Sequence, residues 1–357
     1  MQMPPPIHGV TVLNEIIYNS SVITNDLVKD ILKIEFSRNL TTLNRFKLSK
    51  FIVFFTLLFR LYDKIKVFKP DFIYFTIVPT GLGFYRDCIF TLLIKYSRVN
   101  VIYHLHGKGI REASRNFVLK KLYKYIFSNS IILISSYGLQ RRELDPLQLK
   151  NAQIYVLPNG VKTNLNSKKI TFKKSKPIKL LYVSNISKSK GIFFLLNALL
   201  VLKKKNIDFK LDIVGGFLNK SAKNSLENMI TSNSLQEHIK FHGYINETEK
   251  DFFFNSSDIF IHPSLNENFG LVIIEAMQYG LPVISTYEGA IPEIIDNGIT
   301  GILVNKNDID ELAKKIILLI NNDDLRKKLG EKGREKFLKK YTLRTFENNI
   351  KKIFDEI

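Results

Sequence analysis

Short apolar, β-branched runs alternate with helix-length segments along the whole chain. In the first half, Ile31–Phe36, Phe72–Val78, Val99–His104, Ser130–Ser135 and Gln153–Leu157 have the length and composition of strands. In the second half, Ile178–Ser184, Phe209–Val214, His238–His242, Asp258–His262, Pro282–Ser285 and Ile302–Val304 do. Runs such as Ile131-Ile132-Leu133-Ile134 are apolar at every position, which suits strands covered on both faces of a parallel sheet. Phe193–Lys205, Phe269–Tyr279 and Ile309–Ile320 read as helices between them. Such β-α alternation predicts an α/β protein with doubly wound, Rossmann-like parallel sheets.

The length of 357 residues is enough for two such domains. Asn164–Lys179 is polar, with lysines at 168, 169, 173, 174, 176 and 179 and a proline at 177. It marks a linker over 164–179, between an N-terminal domain over 1–163 and a C-terminal one over 180–340. A last helix over 341–357 is expected to pack back toward the first domain. A doubly wound domain normally opens with a strand that feeds its first ligand loop. Here Pro4-Pro5-Pro6 and Gly9 come too early for one, so the first domain is expected to lack that strand.

Composition narrows the classes. Hydrophobic residues make up 45% and charged ones 24%, so the chain is globular. Its single cysteine, Cys88, excludes an internal disulfide framework and fits a reducing compartment. No Cys/His cluster has zinc-site spacing. The apolar run Phe51–Phe59 is far short of the ~20 residues that cross a bilayer, and the start carries no cleavable signal pattern. The expected location is cytoplasmic.

The formal charge of +20 is not spread evenly. Residues 1–176 hold 28 Lys and Arg against 10 Asp and Glu, whereas residues 177–357 are nearly balanced. A basic half beside a neutral one suggests an anionic partner for the first half. Lys47–Arg60 is apolar and flanked by cations, with Lys64 and Lys66 following. A helix there suits an anionic membrane interface, and its apolar content suits equally a helix buried within the domain. No RNA- or DNA-binding motif accompanies the basic residues, so nucleic acid is not the expected partner.

The stretch from His262 to Gly289 carries the most chemistry and reads strand, loop, helix, turn, strand. Glu267 lies in the loop, and Gly270 lets the backbone enter the following helix closely. Glu275 comes eight positions later, about two turns into that helix. Amides at a helix start bind phosphate, because free N–H groups and the helix dipole both favour an anion. A carboxylate further in can accept from a ribose diol, and one in the loop from sugar hydroxyls. The plain alternative makes Glu267 a dipole partner and Glu275 a solvated side chain. Ser184-Asn185-Ile186-Ser187-Lys188-Ser189-Lys190-Gly191 joins the first strand of the second domain to its first helix, where Lys190 can reach a diphosphate. Asp308-Ile309-Asp310 looks like a metal-binding pair but opens a helix, and Asp308 with Glu311 has the spacing of a capping box. No metal site is expected.

The order of these segments, with Pro158-Asn159-Gly160-Val161 before the linker and NFG…EAM…G-P-V around the glutamates, resembles glycosyltransferase family 4. The resemblance runs through nearly all of residues 4–340. It implies the GT-B architecture, two facing doubly wound domains, and retaining transfer of a hexosyl or N-acetylhexosaminyl group. The implied donor is a nucleotide-diphosphate sugar, UDP ahead of GDP, with no cofactor and no metal. The implied acceptor is lipid-linked or an oligosaccharide, in cell-surface polysaccharide synthesis at the inner face of the membrane. Position by position, Glu275 matches the ribose-binding carboxylate and Glu267 the residue that holds donor-sugar hydroxyls. Asn268, Phe269, Gly270 and Leu271 match the backbone near sugar and phosphates, and Lys190 the lysine that neutralises the diphosphate. His106, after a first-domain strand, matches a histidine near the reacting sugar, and Gly9 a loop that approaches the phosphate. Three positions depart from the pattern. Asn185 stands where arginine is common, His8-Gly9 where paired glycines are, and Lys162 where an acidic residue is commoner. A nucleotide-sugar epimerase on the same architecture remains open at this stage.

Overall fold

The computed structural model describes residues 1, 3–4, 9–34, 49–164, 177–217 and 219–357. They form two compact units, Met1–Pro158 with Phe346–Ile357, and Asn159–Thr345.

The first unit is built on four parallel strands, β1 (Phe72–Ile77), β2 (Asn100–Leu105), β3 (Ile131–Ile134) and β4 (Gln153–Val156), in the order β1-β2-β3-β4. Phe75 and Tyr103 are register partners and so share a sheet face. Phe90 of the helix Gly81–Tyr96 packs on Phe75, and Phe127 of the helix Phe117–Phe127 packs on Tyr103, with ring centroids 6.4 and 5.4 Å apart. Those two helices therefore cover the same face. The helix Ser49–Phe68 lies beside them through Phe54, whose ring is 5.3 Å from that of Phe90. The chain end joins this unit because Phe354 packs on Phe72 at 5.4 Å and Lys351 pairs with Asp26 at 2.7 Å.

The strand predicted over Ile31–Phe36 is not formed where it can be seen. Residues 31–34 are irregular, and 35 and 36 lie outside the described residues. Lys33 interrupts the apolar run, and the backbone finds its partners on Met1 instead of in the sheet. Ile34 N–H donates to the Met1 carbonyl, and the Met1 amino group donates to that of Leu32, both at 2.9 Å. Among the described residues no strand precedes β1. Twelve of the sixteen residues read as a linker, 165–176, also lie outside them, and the last two already belong to a strand.

The second unit has six parallel strands, β5 (Ile178–Val183), β6 (Phe209–Val214), β7 (Ile239–Gly243), β8 (Ile259–His262), β9 (Val283–Thr286) and β10 (Ile302–Val304). Their spatial order is β10-β9-β8-β5-β6-β7. The chain builds outward from β5 to β7, then returns to β8 on the other side of β5 and builds away from it. Leu180, Tyr182, Leu195, Leu199, Ile213 and Ile261 are fully buried in its core, as the continuous apolar runs require. Asp308 caps the helix Ile309–Ile320 by accepting from the Glu311 N–H at 2.9 Å. The Glu311 carboxylate, however, accepts from Asn305 N–H at 2.8 Å, so the expected box is not reciprocal.

Candidate active site

At a reversal of strand order the loops leaving the carboxyl ends of two adjacent strands diverge, and a crevice opens between them. In the second unit the reversal falls between β5 and β8. The loops that leave these strands are Ser184–Gly191 and Pro263–Gly270, the two segments singled out for phosphate and sugar chemistry.

The backbone locks the two loops together. The Ser189 carbonyl accepts from the N–H groups of Leu265 and Asn266 at 2.9 and 3.0 Å. Gly191 has φ +77°, and a Cβ there would lie 1.9 Å from the Pro263 carbonyl oxygen, so only glycine allows this approach. Gly289, φ +55°, passes as closely behind the second loop: its Cβ would meet the Glu267 and Asn268 carbonyls at 2.3 and 2.5 Å. The helices that follow, Ile192–Lys204 and Leu271–Gln278, both start after a left-handed glycine, Gly191 and Gly270, with no side-chain cap. Their first amides are thereby left for a ligand or water.

Glu267 is the centre of the arrangement. Its Oε2 accepts from Lys190 Nζ at 2.7 Å and from His262 Nε2 at 3.0 Å, and its Oε1 accepts from Asn268 N–H at 3.2 Å. Burial alone raises this carboxyl, but the bond and charge of His262, then those of Lys190, outweigh it and hold it at about 2. His262 is buried, its carbonyl accepts from Ser285 Oγ at 2.6 Å, and its ring lies parallel to that of Phe260. Lys190 is fixed from its own backbone, where its carbonyl accepts from the buried Tyr182 hydroxyl at 3.1 Å. A fixed carboxylate beside a fixed ammonium offers acceptors for hydroxyl groups and donors for phosphate oxygens in one place.

Glu275 sits one turn into the helix Leu271–Gln278, not two, because the helix starts at Leu271, two residues later than predicted. It accepts from Lys250 Nζ at 3.1 Å. Burial pushes its carboxyl above the ordinary value and Lys250 offsets only part of that. The Glu247 carboxylate takes Lys250 from the other side at 3.1 Å. Phe269 and Gly270 are buried in the turn, and Leu271 opens the helix. Asn185 and Lys188 are exposed on the first loop.

The first unit carries the other two candidates. His106 follows β2 and lies against His104, with ring centroids 3.9 Å apart and the rings tilted by 40°. Burial, and then the neighbouring His106, push His104 well below its ordinary value, so it stays neutral, against Tyr74 Oη. Gly107 is pressed on Pro79, where a Cβ would come within 2.5 Å of Cγ. Gly9 was expected in a loop, but it is exposed as the first residue of the helix Gly9–Asn19. Its amide thus belongs to the first turn of that helix.

The structure thus brings Lys190, Glu267 and Asn268 into one hydrogen-bonded cluster, with Glu275 on the helix that leaves it. It adds His262 and Lys250, which sequence reasoning passed over. His262 ends a strand and reads there as a core residue, and Lys250 is one cation among many on a polar helix. Only tertiary contact distinguishes either from its neighbours.

Two parallel-sheet α/β units, the second with its site at the reversal point, define the GT-B class. Lipopolysaccharide outer core galactosyltransferase WaaB has a similar fold, with a TM-score of 0.72 at 16% identity over 100% of this chain and 98% of that one. So does Anabaena HepE in complex with UDP, with a TM-score of 0.71 at 19% identity over 85% and 82%. An uncharacterized glycosyltransferase of Methanocaldococcus jannaschii is 32% identical over 79% of this chain and 75% of its own length. Residues 164–336 match the family described as glycosyl transferases group 1. The chain belongs to that family and is a glycosyltransferase. The capsular polysaccharide biosynthesis glycosyltransferase CapM of Staphylococcus aureus is 33% identical over 45% of this chain and 41% of its own length.

Proposed function

We propose that the chain transfers a hexosyl or N-acetylhexosaminyl group, with retention, from a UDP-sugar to a lipid-linked or oligosaccharide acceptor of a cell-surface polysaccharide. The observation that carries the donor half is the Lys190–Glu267 pair at the carboxyl ends of β5 and β8. HepE, a fold relative, binds UDP. CapM is a capsular polysaccharide biosynthesis glycosyltransferase and WaaB a lipopolysaccharide outer core galactosyltransferase, which supports the acceptor class.

In this reading Glu275 accepts from the ribose diol, and Glu267 accepts from hydroxyls of the donor sugar. An ammonium has three N–H donors, and the bond to Glu267 uses one, so Lys190 can turn the others to the diphosphate. As the bond from the anomeric carbon to the diphosphate breaks, negative charge grows on the leaving group and the sugar becomes oxocarbenium-like. Lys190 and the amides and dipole at the start of the helix Leu271–Gln278 stabilise the departing charge. Asn185 adds a neutral donor where a second cation would be stronger. The acceptor hydroxyl attacks from the face the leaving group vacates and gives its proton to the departing phosphate, so no protein nucleophile is invoked. We assign to His106 a contact with the reacting sugar and to Gly9 one with phosphate. The acceptor is met at the inner face of the membrane.

The test is thermal shift of the full chain with UDP, GDP, ADP and CMP, alongside Lys190→Ala and Glu275→Ala. A ligand present at ~100 times its Kd adds about 2.7 kcal/mol. A shift with UDP alone that both substitutions abolish is the expected result. A shift that survives both substitutions refutes the site.

A further inference from the structure

We propose that three neighbouring helices of the first unit, Ser49–Phe68, Gly81–Tyr96 and Phe117–Phe127, present a face that docks on an anionic lipid bilayer. The proposal deepens the acceptor half of the reading above and is independent of the donor site.

These helices form one layer, as the Phe54–Phe90 contact and the stacking of Tyr123 on Phe84 at 4.3 Å show. The second and third pack inward on the sheet through Phe90 and Phe127, and the first packs on the second through Phe54. The outer side of such a layer is ordinarily polar, since it faces water. Here it is not. On the first helix Ile52, Phe55 and Phe59 follow one another at helical spacing, and Ile52 and Phe59 are each 72% exposed. On the second, Leu82, Tyr85, Ile89, Leu92 and Tyr96 continue at steps of three and four, with Leu82 81% and Tyr96 83% exposed. The third adds Phe117 and Tyr125. Stripes on adjacent helices merge into an apolar surface larger than scattered exposed residues produce. The sequence left open whether the first of these helices is buried. The structure answers that its outer stripe is not.

What covers this face is decided by charge. Residues 52–68, 81–96 and 117–127 hold eight Lys and Arg and two Asp, one of which, Asp87, is buried beside Arg86. Lys121 and Lys66 lie over the rings of Phe117 and Tyr62 at 4.4 Å, and Lys95 lies over that of Tyr125 at 5.6 Å. Cations bordering aromatic rings on an apolar surface match the zone where acyl chains give way to anionic headgroups. A second copy of the chain fits worse, because a two-fold contact would set this basic face against itself. Among the described residues no helix is long and apolar enough to cross a membrane, so the contact is with the surface.

The test is flotation of the full chain with phosphatidylcholine vesicles and with vesicles that also contain phosphatidylglycerol. The variants are Phe55→Ser/Phe59→Ser/Tyr96→Ser and Lys120→Gln/Lys121→Gln/Lys124→Gln, each checked for an unchanged melting temperature. Each cation near an anionic surface contributes about fivefold in partitioning, so the lysine variant should bind about a hundredfold more weakly. The expected result is binding to anionic vesicles only, weakened by salt and by both variants. No flotation, equal flotation with neutral vesicles, or a dimer that the aromatic variant splits would each overturn the proposal, as would retention on polynucleotide but not vesicles. The UDP shift is read on the same samples, so a chain that binds UDP but does not float refutes only this proposal.

Discussion

His262→Phe tests whether the site is preorganised by a buried hydrogen bond. The substitution keeps an aromatic ring against Phe260 and Tyr182 but removes the Nε2 donor 3.0 Å from Glu267. With the Glu267 carboxyl at about 2 against an ordinary 4.5, its native interactions are worth about 3 kcal/mol at neutral pH. A hydrogen bond to a charged group accounts for roughly 1.5–3 kcal/mol, so His262→Phe should cost about 2 kcal/mol. Because the carboxyl is held below its unfolded value, this stabilisation is fully present above 4.5 and is lost as the pH falls toward 2. The assay is denaturant unfolding of wild type and variant from neutral pH down through that window. The penalty should be largest at neutral pH and shrink below 4.5. In a Glu267→Gln background it should fall by more than half, since the partner charge is already gone. A penalty constant across the whole range, or none at neutral pH, would refute the electrostatic account of this cluster.

Other substitutions probe separate parts of the second unit. Gly191→Ala forces a Cβ onto the Pro263 carbonyl and should cost about 3 kcal/mol or more, seen as a lowered Tm. Glu275→Gln should leave the free chain as stable or slightly more so, because its carboxyl is held above its unfolded value and the charged form opposes folding at neutral pH. The same change should weaken UDP binding about tenfold or more by calorimetry, and unaltered affinity would remove Glu275 from the ribose. Arg326→Met should destabilise by about 3 kcal/mol by equilibrium unfolding. Its buried guanidinium donates to the Leu319 and Ile320 carbonyls at the end of one helix and to Asp323 at the start of the next.

The sequence determined much of this protein, because parallel strands buried on both faces are apolar at nearly every position. Ten of the eleven strand candidates are strands, with each end within one residue of that predicted. Ile31–Phe36 failed because a short run broken by Lys33 pairs with whatever backbone lies nearest, and that is a tertiary matter. Glu267, Glu275 and Lys190 could be picked out as candidates in the sequence because they are charged residues close to Gly191 and Gly270, where a strand gives way to a helix. Strand order was not legible, and it is strand order that sets β5 beside β8 and makes one site from loops about eighty residues apart. His262 and Lys250 acquire their meaning only through partners five and twenty-five residues away, at distances no periodicity encodes. The exposed stripes of the first unit were hidden for the complementary reason. An apolar run reads the same whether its outer side faces a core or water, and only packing decides which side is left uncovered.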